Sequence, residues 1–304
     1  TVEVLCLSSF KCTMLIRIIF LLAYLSVGAI AAVKDEQLKS FIKLTFSVSK
    51  ATYLPFKGRR LLQNGQIMEN PSYTGSNDIP ENDRASCIIG GWTANIYNIN
   101  ETEVAMFTNV KQRLVVFGFR GTDNGEDWGK NLNVRIVKET IGTDSFAIHK
   151  GFLDRYKFIS KWFENKYSQV PSDYIILLTG HSLGGAEATI AAVYASSKLN
   201  RKPDGVVTYG SPKVGTREFK HYYQHKVGCG RTIRMTVRFD PAPSFPVHIL
   251  WYTHVCPNLQ VLGKITANLL YKHSLYGGYE DGIKRKYQDD MEGISLGCDK
   301  IFNV

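Results

Sequence analysis

The stretch that decides the fold reads Ile175-Ile176-Leu177-Leu178-Thr179-Gly180-His181-Ser182-Leu183-Gly184-Gly185-Ala186. Its continuous apolar run reads as a strand buried on both faces, and it passes through Gly-x-Ser-x-Gly straight into an alanine-rich helix. The turn between the two is so tight that a side chain two positions either side of the serine would collide with the neighbouring strand or helix, hence glycine at 180 and 184. Ser182 is thereby pushed out at the carboxyl end of the sheet. Its backbone sits at the amino end of a helix, which stabilises developing negative charge.

Outward from this turn, strands and helices alternate. Val104–Thr108 and Arg113–Phe119 read as strands, His149–Tyr167 as a helix, Tyr174–Thr179 as a strand, Gly184–Leu199 as a helix, Gly205–Tyr209 as a strand and Arg217–Lys226 as a helix. That order predicts βαβ units and an α/β fold with a mainly parallel central sheet flanked by helices. Residues 35–54 fit an amphipathic helix through Leu38, Phe41, Ile42, Thr45, Phe46 and Val48, and Pro55–Glu81 reads as loop. With no internal repeat or dividing linker, residues 32–304 are expected to form a single domain.

A serine becomes a good nucleophile when a histidine oriented by a carboxylate takes its proton. In folds of this kind the acid and the base follow the serine on loops after later strands. Asp240 ends the strand-like Thr232–Phe239 and is held by Pro241, Pro243 and Pro246. For the base, His181 points away from the serine inside the turn, His149, His221 and His225 fall on helices or their starts, and His248 lies too close to Asp240. His254 and His273 remain. A histidine between Tyr252 and Cys256 in a strand is more ordinarily packed, so His273 is favoured. The Leu183 N–H, directly after the nucleophile, supplies one oxyanion donor, and Thr122, after the strand ending Phe119-Arg120-Gly121, supplies the other.

The 304 residues carry 37 basic and 27 acidic side chains, a formal net charge of +10, and 44% hydrophobic residues, which excludes a disordered chain. Met14 opens a short basic segment followed by the apolar run Ile18–Ile30 and small residues, so residues 1–31 read as upstream sequence plus a secretory signal peptide, cleaved at Ala31 or Ala32. Setting it aside with Lys11, Arg17 and Glu3 leaves a net charge of about +9. The charge is dispersed and invites no nucleic-acid partner. It suits transient contact with a lipid interface by a monomer.

Secretion leaves Cys87, Cys229, Cys256 and Cys298 in an oxidising compartment. Cys229 and Cys256 lie symmetrically about a turn at Asp240–Pro246, which predicts that they join across an antiparallel hairpin of Thr232–Phe239 with His248–Val255. Cys87 and Cys298 then pair. Asn100-Glu101-Thr102 is a glycosylation acceptor. No CxxC or HExxH spacing points to a metal, and no cofactor is expected.

Taken together, Phe119-Arg120-Gly121-Thr122, Asp127-Trp128 with Asn131-Leu132, His149-Lys150-Gly151-Phe152, Gly180–Ala186, Tyr209-Gly210-Ser211-Pro212-Lys213-Val214-Gly215, Asp240-Pro241 and His273 with Tyr276 resemble the class 3, fungal-type lipase family. The resemblance runs from about residue 104 to 280. It implies an α/β-hydrolase fold with a short lid, a triad of Ser182, Asp240 and His273, an oxyanion hole of Thr122 and Leu183, and a structural role for His254. The implied function is a secreted triacylglycerol lipase working through an acyl-enzyme.

One segment departs from the family. Asp123–Val134 stands where family lipases carry an apolar helical lid, with Trp128 and Leu132 as its main contacts. Glycines at 125 and 129 each cost roughly 1 kcal/mol in a helix, and the acidic start suits lipid poorly. This keeps open a feruloyl-type or short-chain esterase without interfacial activation. A catalytically silent binding protein is the third reading, opposed by the complete set of triad residues.

Overall fold

A computed structural model describes residues 35–53, 59–61, 67–69, 92–99, 102–122, 135–247 and 251–288. The signal segment, Cys87, Asn100, Trp128, Leu132 and Cys298 lie outside the described residues, as does the Asp123–Val134 segment.

Seven strands form the central sheet: β3 (Thr93–Ile99), β4 (Thr102–Asn109), β5 (Leu114–Phe119), β8 (Ile175–His181), β9 (Gly205–Tyr209), β10 (Thr232–Val237) and β11 (Asn258–Val261). Their spatial order is β11-β10-β9-β8-β5-β4-β3. From β5 to β11 all neighbours are parallel, and β4 and β3 add an antiparallel edge. β5, β8 and β9 are buried along their whole length, as expected of strands covered on both faces. Two antiparallel ribbons lie outside this sheet: β1 (Arg59–Leu61) with β2 (Ile67–Glu69), inside the stretch expected to be loop, and β6 (Ile136–Ile141) with β7 (Asp144–His149).

One face of the sheet carries α2 (Lys150–Gln169) and α3 (Leu183–Lys198), whose apolar side chains share a core with β5 and β8. Every residue of α3 from Leu183 to Ser196 is buried, because the helix lies between the sheet and its neighbours. The other face is covered by α1 (Asp35–Ala51) and α4 (Glu280–Tyr287). In α1, Ile42 and Phe46 are fully buried, worth roughly 2–3 kcal/mol each. Its polar side chains are satisfied too: the hydroxyls of Thr45 and Tyr209 lie 2.8 Å apart, and those of Ser49 and Thr179 2.9 Å apart. This is the α/β-hydrolase fold.

The expected hairpin is not formed. β10 pairs in parallel with both β9 and β11, in the register Arg234↔Asn258, and Thr253 instead bridges Gly215. After Asp240 the chain crosses over and runs alongside β10 in the same direction. Parallel strands have their entry ends on one side of a sheet, so the cysteines that precede β10 and β11 meet there. Cys229 and Cys256 are joined, with Cα atoms 5.5 Å apart. The pairing agrees with the expectation, but its geometric reason is the opposite one.

Candidate active site

The site opens at the carboxyl ends of β5, β8 and β10. Ser182 follows β8 with φ 56° and ψ −126°, a conformation that costs a non-glycine residue of order 1–3 kcal/mol and is held here by its surroundings. Its N–H donates to the Tyr209 carbonyl at 2.8 Å, tying the turn to β9. A Cβ on Gly180 would stand 2.3 Å from the Gly184 carbonyl oxygen, and one on Gly184 2.1 Å from that of Phe119. Both glycines are therefore fixed by the contact of the turn with its own helix and with β5.

The structure brings together the serine, the acid and the favoured histidine. His273 Nε2 lies 2.8 Å from Ser182 Oγ, and His273 Nδ1 lies 3.0 Å from each oxygen of Asp240. In the arrangement these contacts favour, the serine hydroxyl donates to Nε2 and the Nδ1–H donates to the carboxylate. Asp240 and His273 are both buried, so the contact is shielded from water. Burial alone would raise the Asp240 carboxyl, but hydrogen bonds from His273, Tyr279 and the Ala242 amide outweigh it and hold the group below its ordinary range. Thr122 stands at the end of β5, its buried hydroxyl without a hydrogen-bond partner among the described residues. Leu183 is the first residue of α3, where a helical N–H has no carbonyl one turn back. Arg120, just before this loop, pairs with the buried Glu103 at 3.6 Å.

Four other residues complete the geometry and went unnoticed in the sequence or were given no role. The Tyr279 hydroxyl donates to Asp240 Oδ2 at 2.5 Å from a single turn of π-helix, Leu275–Tyr279. The His181 ring stands beside that of His273, and its Nε2–H donates to the His273 carbonyl at 2.7 Å. The Tyr53 hydroxyl donates in turn to His181 Nδ1 at 2.9 Å. Burial, with the neighbouring His273, lowers His181 from 6.5 to about 3, so it is a neutral brace. The Lys213 ammonium, itself buried, donates to the carbonyls of Ser244 at 2.7 Å and Pro246 at 2.9 Å, clamping the loop that begins at Asp240. His254, the rejected base, donates from Nε2 to the Pro243 carbonyl at 2.7 Å and holds the same loop.

No group of histidine, cysteine and carboxylate side chains among the described residues has a metal-binding arrangement. The arrangement present, a serine against an imidazole whose far nitrogen faces a carboxylate, is that of a nucleophile, its base and the base's orienting group.

Comparison with known proteins agrees with this chemistry. Residues 116–249 match the model of the class 3 lipase family. A secreted mono- and diacylglycerol lipase 1 from Fusarium solani is 28% identical over 190 residues, covering 62% of this chain and 55% of that protein. A secreted mono- and diacylglycerol lipase A from Penicillium cyclopium is 30% identical over 166 residues, 51% of this chain and 50% of its own. The chain thus spans about half the length of the curated relatives it matches. Lipase II from Rhizopus niveus superposes with a TM-score of 0.55 at 19% identity, covering 75% of this chain and 80% of that one, a likeness of fold. The matched segment holds the nucleophile turn and the acid in family order, and over residues 116–249 the chain is similar to the class 3 lipase family.

Proposed function

We propose that the protein is a secreted carboxylic ester hydrolase that cleaves acylglycerols through an acyl-enzyme, as a single α/β-hydrolase domain from residue 32 onward and as a monomer. One observation carries the reading: a buried imidazole stands 2.8 Å from Ser182 Oγ on one side and 3.0 Å from the Asp240 carboxylate on the other.

The steps follow from that geometry. Ser182 Oγ attacks the ester carbonyl while His273 Nε2 takes the hydroxyl proton. Asp240 holds the imidazole through Nδ1–H and balances the positive charge that forms. The carbonyl oxygen, now negative, accepts from the Leu183 N–H and from Thr122. His273 returns its proton to the departing alkoxide, the alcohol leaves, and water repeats the sequence to release the fatty acid.

The two glycines and acidic start of Asp123–Val134 favour a second reading, a short-chain or feruloyl-type esterase. Turnover of tributyrin, long-chain triacylglycerol emulsions, short p-nitrophenyl esters and methyl ferulate separates the two. The lipase reading expects long-chain emulsions to be hydrolysed, with a rise in rate above the solubility limit. Turnover confined to dissolved short esters or ferulate contradicts it.

A further inference from the structure

Beyond the carboxyl ends of β10 and β11 the chain presents apolar side chains to water. Ile265 is 96% exposed and Phe239 66%, and Leu262, Leu269 and Leu270 are exposed as well. They occupy one rim. The Arg238 N–H donates to the Val261 carbonyl at 3.1 Å, which sets the Arg238–Phe239 step beside Leu262. From the other side, the Lys272 ammonium, one turn from Leu269, lies 5.0 Å from the centre of the Phe239 ring. The Arg238 guanidinium lies 4.8 Å from the same ring.

Phe239 is held there at a cost. Its φ is 66°, a region where a bulky side chain is strained, and the result is that Phe239 points to solvent while Asp240 turns inward to His273. The charges that flank the exposed apolar side chains are cationic, and the nearby Asp281 carboxylate is taken up by the Tyr271 hydroxyl. Arg238, Lys264 and Lys272 flank the apolar side chains, and between Asp240 and Glu280 the sequence contains no acidic residue.

An exposed apolar patch flanked by Arg238, Lys264 and Lys272, at the mouth of a site for lipid esters, is complementary to an anionic lipid surface. Apolar side chains enter the acyl boundary and the cations meet phosphates. A second copy of the chain would set cation against cation. We propose that this rim, Phe239 with Leu262, Ile265 and the exposed leucines of Leu269–His273, docks the protein on anionic lipid surfaces. It belongs to the body of the fold and does not depend on the Asp123–Val134 segment. The inference rests on the lipase reading above.

The test measures binding and turnover separately. Full-length protein is sedimented with vesicles of phosphatidylcholine alone and of phosphatidylcholine with phosphatidylglycerol, while hydrolysis is followed on a dissolved short p-nitrophenyl ester. The wild type is expected to bind the phosphatidylglycerol vesicles at least about 10-fold more tightly, a preference lost in high salt. Leu262→Glu with Ile265→Glu should weaken that binding by about 100-fold and leave short-ester turnover unchanged. Arg238→Gln with Lys264→Gln should abolish the preference for phosphatidylglycerol. Equal binding to both vesicles, undiminished binding by the glutamate variant, or a self-association that this variant abolishes without any vesicle binding would each overturn the docking surface. Absent turnover in a wild type that binds vesicles contradicts the hydrolase reading instead.

Discussion

The Tyr279 hydroxyl reaches Asp240 Oδ2 at 2.5 Å while the His273 imidazole occupies the other side of the same carboxylate. The acid is thus gripped by two donors, the imidazole that also faces Ser182 and a phenol that does not. Tyr279 is fully buried, and burial with the Asp240 charge raises its phenol well above the ordinary tyrosine value, so it stays protonated and donating. It is a positioning residue. Tyr279→Phe keeps the ring and removes a hydrogen bond to a charged group, worth about 1.5–3 kcal/mol. Because it acts on the acid alone, kcat should fall by roughly 10-fold or more with KM little changed, and the pH profile of kcat/KM should move. A variant with the wild-type profile and rate would show that the contact is structural only.

Lys213 has the corresponding role for the loop. Burial, and then the charge of Arg234, lower its ammonium, which donates to two carbonyls of the loop that follows Asp240. Lys213→Met leaves those carbonyls without a donor, which should cost about 1–3 kcal/mol in thermal or denaturant unfolding. Loosening the loop should also lower kcat, and Lys213→Arg should recover part of both losses.

The disulfide spans a sequence separation of 27 residues, for which closing the loop in the unfolded chain accounts for about 3.5 kcal/mol. Cys229→Ser with Cys256→Ser should lower the stability by roughly that amount. Ester turnover at low temperature should be retained, because the bond lies at the entry ends of β10 and β11, opposite the site.

Acid should destabilise the protein through two buried histidines. Burial lowers His149 from 6.5 to about 4, and His181 is lowered to about 3. Both groups bind protons more readily when unfolded, so the stability they confer is full above pH 6.5 and is lost as the pH falls through about 4 and 3. Each contributes up to about 1.4 kcal/mol per pH unit within its window. Glu187 opposes them. Burial raises it from 4.5 to about 7 against the pull of Arg155, so its contribution is present below 4.5 and lost as the pH rises through 7. Two groups against one leave Tm falling between pH 6.5 and 4.5. His149 caps α2 by accepting from the Phe152 N–H, a bond that asparagine can replace. His149→Asn should therefore flatten that slope by about one proton's worth in calorimetry.

The fold was legible where residue pattern and packing agree. Ile175–Leu178 and Gly205–Tyr209 are continuous apolar runs because their strands are buried on both faces, and Arg217–Lys226 begins and ends as its amphipathic pattern implies. The β6–β7 ribbon was missed because its strands are half exposed and polar, as Lys138, Glu139 and Thr140 show. The stretch after Asp240 was misread as a hairpin partner because proline signals a turn without stating the direction of the next strand. That direction depends on pairing with β10. Ser182 was marked by local sterics alone, whereas Asp240 and His273 needed chain order. Tyr279 and Tyr53 left no local signal: one reaches the site through a π-turn and the other from the end of α1, on the far side of the sheet's sequence. Tyrosines are common enough that only the folded chain singles them out.

The central claim is that Ser182 becomes acylated, and covalent labelling tests it most directly. Wild-type protein and Ser182→Ala are incubated with an alkyl p-nitrophenyl phosphonate, and then residual ester hydrolysis and the mass of the peptide containing residue 182 are measured. The account predicts one adduct per chain on Ser182, formed in step with loss of activity. It also predicts no adduct in the alanine variant, whose turnover should be down by several orders of magnitude. Near-normal turnover by Ser182→Ala, or complete inactivation of the wild type with the adduct on another residue, would contradict it.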